Sequence, residues 1–416
     1  MIVIWEEIIL LKGEEDMEFL QNIGDWFLKN EMVAILLSLC LGHLIGKINF
    51  GRFTLGSTVG TLLVAMIIGQ AGTFSISSTA QMLFFMLCVF AIGYESGPAF
   101  VRGFKNAGMR VIGLSLFFVV VGTLLTVGLC KLCGLDAGTS AGIFAGSLTQ
   151  TAVIGTAGNA IASLGLDEAT TAALQSNVSI SYALTYFFGM AGIIVLIQRV
   201  EPAILRVDLK QAALEKAQAM GYKEEAKSDG SIVERQKETD VSFVTLGIII
   251  GLVIGGLSFK LGYIPISLGS GCGGLVLGMI MGCIHEKQPK IGYIPASTRW
   301  FMIIVGLNVF IACTGLGAGK NFITALQTMG LRIFLVGIAV SMGTHLLTMA
   351  FGRFVLRLDV PDVLGTQAGT GTIVAALNAL IDRTGSSIFA ISYAPAYAIG
   401  NILLTILGPV VIFLMA

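Results

Sequence analysis

The chain has 416 residues, 55% hydrophobic and 12% charged, with 25 basic and 25 acidic side chains that cancel to zero net charge. Soluble domains carry about 25% charged residues, so this composition, with a mean hydropathy of +0.88, describes a polytopic membrane protein. The balanced charge excludes the basic footprint of a nucleic-acid binder.

Residues 1–30 are acidic at the start and lack the basic, apolar, small-residue order of a signal peptide. The run Lys12-Gly13-Glu14-Glu15-Asp16 can be encoded by purine-rich bases, as a bacterial ribosome-binding site would be. Met17 is therefore the expected natural start, with residues 1–16 outside the native protein.

The first membrane repeat, 31–198, holds six apolar segments near 31–48, 54–71, 82–101, 110–132, 137–164 and 178–198. Residues 199–240 form the long polar stretch of the chain, and their Ala, Leu, Lys and Glu content predicts a short surface helix and a flexible, passive connector. The second membrane repeat, 241–416, again holds six segments, near 242–262, 267–284, 300–318, 330–352, 361–382 and 387–414.

The halves share motifs in the same order. FTLGSTVGTLLVAMIIG (53–69) aligns with ISLGSGCGGLVLGMIMG (266–282), GMR (108–110) with GLR (330–332), and ISYALTYFFG (180–189) with ISYAPAYAIG (391–400). A further pattern, Leu-Asp followed by Ala-Gly-[Ser/Thr]-x-Thr, recurs at Leu135 to Thr149 and at Leu358 to Thr372. Such ordered matches mark an internal duplication.

Orientation follows from positive charge, because short cytoplasmic loops gather Lys and Arg. With the linker cytoplasmic and the fifth segments re-entrant, Lys47, Arg52, Arg102, Lys105, Arg110, Lys287, Lys290, Arg299, Arg353, Arg357 and Arg383 all lie inside. Lys131, Lys260, Lys320 and Arg332 fall outside, as do both termini. The expected fold is an all-α polytopic membrane protein with two inverted-topology repeats. Each has five spans plus one re-entrant or broken segment, about ten transmembrane helices in all.

Irregular backbone at membrane depth is tolerated where it lines a cavity or is buried in protein. The two fifth segments are thus expected to meet near mid-membrane and to build one binding site. Helix amino termini favour carboxylates. Gly146, Ser147, Thr149, Gln150 and Thr151 supply close backbone approach and polar donors on one side, and Gly369, Thr370, Gly371 and Thr372 on the other. Glu95, in FAIGYESGP, reads either as a coupling or gating residue or as an interfacial partner of Arg102 or Lys105. Asn308 and Asn401 are further polar residues able to reach a cavity, whereas His43 and His345 read as packed core histidines.

The Cys130-x-x-Cys133 pair has no second pair or nearby histidine. No metal cluster, P-loop, dinucleotide fingerprint or nucleophile elbow appears, so no cofactor and no enzymatic role are expected, and transport must run on gradients or exchange.

LGSTVG near 55–60, FAIGYESGPAF near 90–100, AGSLTQT at 145–151 and YAIGNILLTILGPV at 397–410 together resemble the bacterial aspartate:alanine exchanger family. The resemblance covers roughly residues 20–198 and 241–416. It implies a secondary carrier of small amino acids or dicarboxylates in the bacterial inner membrane, and a homodimer, since the broader group often forms dimers. Members of this family carry two soluble regulatory domains between the halves, where this chain has only residues 199–240. The alternative on the same scaffold is a cation:proton antiporter, which calls for acidic residues at the crossing; neither tip has one.

Overall fold

The computed structural model describes residues 30–50, 53–54, 56–72, 74, 76–106, 108–219, 238–261, 264–267 and 270–416. The proposed start at Met17 lies outside them.

In the first half, α1 (Glu31–Gly46) and α2 (Ser57–Ala71) are joined by a short antiparallel ribbon of β1 (Asn49–Phe50) and β2 (Phe53–Thr54). Then come α3 (Ser78–Asn106), α4 (Met109–Leu132), α5 (Ala137–Ser147), α6 (Ala152–Ala162) and α7 (Glu168–Val195). A π-helical turn, Leu196–Val200, leads into the short α8 (Glu201–Ile204) and the linker helix α9 (Leu209–Ala219). The second half repeats the plan. It has α10 (Val241–Gly256), a ribbon of β3 (Ser258–Leu261) and β4 (Ile264–Ser267), α11 (Ser270–Lys287) and α12 (Ala296–Ala350). A second π turn, Phe351–Val355, precedes α13 (Val360–Thr370), α14 (Val374–Thr384) and α15 (Ala390–Met415).

Two details add to the expected fold. The fold is helical, as expected, with two short antiparallel ribbons joining helices at the start of each half. The segments near 300–318 and 330–352 are two candidate spans, Ala296–Lys320 and Phe322–Val355, joined within one 55-residue helical element, α12, with no non-helical loop between them. The junction Asn321–Leu331 contains no proline, and Ala325, Leu326, Gln327, Met329 and Leu331 favour helix there. At the equivalent place in the first half, Gly108 adopts ψ 140° and caps α4 instead.

Among the described residues, six stretches are long and apolar enough to cross a membrane: Ser78–Pro98, Met109–Leu132, Glu168–Ile204, Ala296–Lys320, Phe322–Val355 and Ala390–Met415. Their outward faces carry large apolar side chains such as Leu124, Leu331 and Phe354, as lipid contact requires.

The direction of each fifth segment can be read from close approaches. Cβ atoms added at Gly138, Gly142 and Gly146 would strike the carbonyls of Leu174, Val178 and Tyr182. Each step of four along α5 matches a step of four along α7, so the two helices run the same way. The chain between them, α6, must therefore run back. In the second half Gly365 and Gly369 press likewise on Phe389 and Tyr393, so α13 parallels α15 and α14 returns. Each fifth segment is thus a helical hairpin, A (α5–α6) and B (α13–α14), whose arms of 11 residues reach ~16 Å each. That is about half a bilayer core.

Hairpin A starts beside the early part of α12's second stretch, where Ile333 and Val336 pack with Cys130 and Leu135. Hairpin B starts beside its end, where Met349 packs with Leu114, Leu358 and Val363. The hairpins thus approach from opposite ends and meet between.

Candidate functional site

Each hairpin tip is a Schellman turn. In hairpin A the Gln150 N–H donates to the Ala145 carbonyl at 2.8 Å and the Thr149 N–H to Gly146 at 3.1 Å. In hairpin B the Ile373 N–H donates to Ala368 at 2.9 Å and the Thr372 N–H to Gly369 at 2.8 Å. This motif normally places glycine at the left-handed position. Here both positions are threonine, Thr149 at φ 55° and Thr372 at φ 58°. A β-branched residue in that region is strained. What threonine supplies and glycine cannot is a hydroxyl.

Those hydroxyls join the tips. The Thr149 hydroxyl donates to the Gly371 carbonyl, and the Thr372 hydroxyl donates to the Thr149 carbonyl at 3.3 Å. The residues just before them anchor each tip to an equivalent position on the neighbouring helix. Ser147 donates to the Gly337 carbonyl on α12 at 3.1 Å. The Thr370 hydroxyl lies 3.1 Å from the Ser115 hydroxyl on α4 and 2.8 Å from the Thr366 carbonyl. With Gly108 aligned to Gly330, Ser115 and Gly337 occupy matching places. Gly146 and Gly369 permit the close contacts: a Cβ at either would come within 2.8 Å of the Tyr182 carbonyl or 2.4 Å of the Tyr393 carbonyl.

The sequence thus identified residues that do converge, but their hydroxyls are directed at protein acceptors in this arrangement. Other donors stand ready. Neither α6 nor α14 has a side chain capping its first turn, and both first turns open at the clasp. Gln150 donates to the Asn401 side chain at 3.2 Å, and Thr151 pairs with the Tyr182 hydroxyl at 2.7 Å.

Asn401 therefore belongs to the cluster, with the Tyr397 hydroxyl beside its amide. Glu95 is exposed and within electrostatic range of Tyr397. The side chains of Arg102 and Lys105, its expected alternative partners, lie outside the described ones. Asn308 stands apart, donating to Ser57 at 3.4 Å on α2. His345 is buried, with Nδ1 2.9 Å from the Ser341 carbonyl. His43, expected in the core, is exposed on α1, because α1 turns one face outward.

Two tyrosine pairs escaped the sequence reading. Tyr182 and Tyr186 pack with tilted rings 5.0 Å apart beside tip A, and Tyr393 and Tyr397 stack at 5.5 Å beside tip B. The Tyr393 hydroxyl is buried without a partner. The repeated ISYAxxYxxG motif carried the signal, but its tyrosines read as ordinary span residues. Along α6 from Ile154 to Ala162 runs a cavity of about 250 Å³, with Ser78, Gln81, Asn159, Gln175 and Thr314 as its polar lining. The Asn159 amide nitrogen has no partner there.

Long apolar helices around two opposed, polar-tipped hairpins define a multi-pass membrane transporter. One family's sequence model, described as a predicted permease membrane region, matches residues 34–202 and again 243–413. The chain belongs to this aspartate–alanine exchanger permease family. It is similar to an aspartate/alanine antiporter of Tetragenococcus halophilus, 26% identical, over 95% of this chain and 99% of that protein. It also resembles uncharacterized transporters of Zymomonas mobilis (25% identical, 95% of this chain and 99% of that one) and Bordetella parapertussis (25%, 91% and 96%).

Proposed function

We propose that the protein exchanges small carboxylates or amino acids of the aspartate/alanine type across the bacterial inner membrane by alternating access. The observation that carries this reading is the reciprocal clasp of Thr149 and Thr372, two strained left-handed threonines whose hydroxyls meet at the joined tips. Substrate carboxylate oxygens replace the carbonyls of Gly371 and Thr149 as acceptors of those hydroxyls. The uncapped first turns of α6 and α14 add N–H donors and the positive ends of two helix dipoles. Gly146, Ser147, Gln150, Thr151, Gly369, Thr370 and Gly371 shape the same site. The cavity along α6 is the approach from one side.

The halves are read as inverted-topology repeats. Support comes from α4 and the second stretch of α12, which pack antiparallel: Leu125 meets Gly343, and Leu114 meets Gly352. The opposite approach of the two hairpins agrees. The end of the molecule holding α9 and the starts of α4 and α13 also holds Arg110, Lys287, Arg353 and Arg357, which supports reading it as the cytoplasmic end, with both termini outside.

Counterflow of radiolabelled aspartate, alanine, glutamate and succinate in proteoliposomes tests this. At least one should be accumulated against its unlabelled counterpart. Silence with all four, together with cation flux driven by a pH gradient, would replace the reading with cation:proton antiport.

A further inference from the structure

Where the first half ends, the π turn and α8 hold both arms of hairpin B. Gln198 donates to the Ala379 carbonyl on α14. Glu201 lies against α13, with the Gln367 amide as its polar neighbour. Glu201 has no exposed surface, and neither of its carboxyl oxygens has a hydrogen-bond partner. It sits beside an apolar cluster that includes Ile197, Leu209, Leu364 and Ala368.

The charged groups on the surrounding elements are engaged elsewhere or face away. Arg199 and Arg206 are exposed. Lys216 on α9 pairs with Asp359 and Asp362, while Asp382 and Arg383 lie on α14. His345 turns its ring edge to Phe118 at 4.9 Å. Among the described residues, none forms an ion pair with Glu201.

An ionised carboxylate is untenable in such a place without a counter-charge or hydrogen bonds, and takes up a proton instead. The neighbourhood fits a neutral carboxyl. Gln367 spends an amide N–H on the His345 carbonyl at 2.8 Å, and its own carbonyl oxygen is an unpaired, buried acceptor. The second amide N–H of Gln367 can serve a carboxylate, but only a protonated carboxyl can donate to that oxygen, and burial without a counter-charge favours the protonated form.

We propose that Glu201 is a proton-binding site tied to hairpin B, protonated while α13 lies against it and releasing that proton to water when α13 moves away. This rests on the reading that hairpin B moves during alternating access. Gln367 lies four residues before Gly371, whose carbonyl takes part in the clasp, so the proton sits about one helical turn from it. Each movement of hairpin B away from α8 then carries the release of a proton, and each return its uptake. Apparent substrate affinity should change with pH by up to about tenfold per unit for one linked proton.

Infrared spectra of purified protein in nanodiscs at pH 7 test the site without any substrate. A protonated-carboxyl band that shifts in D2O is expected in the wild type and is lost in Glu201→Gln. Identical spectra would overturn the assignment. Should Glu201→Gln not assemble, Gln367→Leu serves, since removing the neighbour must move the band; an unmoved band is equally fatal. Counterflow of radiolabelled aspartate from pH 6 to 8 adds the functional arm: its pH dependence should flatten in Glu201→Gln, and an unchanged profile overturns the coupling. Silent counterflow in both proteins, with the band lost only in the variant, sinks the substrate reading and leaves the proton site standing.

Discussion

The two left-handed threonines set strain against a hydrogen bond, and substitution can separate the two. Thr149→Val keeps the branched side chain at φ 55° but deletes the hydroxyl, leaving the buried Gly371 carbonyl without its donor. That omission costs ~1–3 kcal/mol, roughly 5–150-fold in the ratio of clasped to open tips. Thr149→Gly deletes the same hydroxyl yet relieves the left-handed backbone, worth about 1–2 kcal/mol. Glycine should therefore recover much of the stability that valine loses, although neither restores the clasp. The same contrast holds for Thr372, whose hydroxyl bonds the Thr149 carbonyl. Thermal unfolding in detergent reads the stability, and the apparent affinity for aspartate in counterflow reads the clasp. We expect valine to melt below glycine while both bind aspartate more weakly than the wild type. Glycine melting below valine would refute the strain argument. Wild-type affinity in both variants would refute the role of the hydroxyl.

Gly146→Val and Gly369→Val should be more severe than either threonine change, because even a Cβ would meet backbone at 2.8 and 2.4 Å; loss of counterflow at matched membrane insertion checks this. A cysteine at residue 167 should be labelled by impermeant reagents from outside, and one at residue 230 only from the cytoplasm. External labelling at 230 would overturn the assigned orientation. Replacing 221–236 with a Gly/Ser linker of equal length should leave counterflow intact, whereas Ala213→Glu should impair it by placing a charge at a site with 0% exposure.

The burial of Leu209 and Ala213 and the pairing of Lys216 show α9 docked on the membrane part, which the expectation of a passive connector did not include. The composition of 199–240 correctly signalled a helix, but its docking was hidden. Only Leu209 and Ala213 of α9 are buried, too short an apolar stripe to stand out, and its Lys216 partners lie more than 140 residues away in sequence. The tips were legible because glycines and hydroxyls inside apolar runs conflict with lipid contact, and because the pattern occurs twice. Their left-handed threonines were not, since propensity places glycine there. Nor was the helical junction within α12 legible: Lys320 and Arg332 read as residues outside the membrane between two spans, and the stretch joining those spans is itself helical. Glu201 went unremarked because it opens a charged stretch, where an acid looks solvated until the fold closes over it.

The docking of α9 has a mechanical meaning. Hairpin B is held by chain leaving the other half: Gln198 at Ala379, Glu201 at α13, and Lys216 at Asp359 and Asp362. Anything attached after Ala219 would pull on one gate through a short, stiff lever rather than a slack tether. The alignment with the Tetragenococcus relative runs over 540 positions against the 416 of this chain, so kin of this protein accommodate added sequence. An insertion at that lever could convert a binding event in water into tension on a hairpin inside the membrane, with no change to the transport site itself.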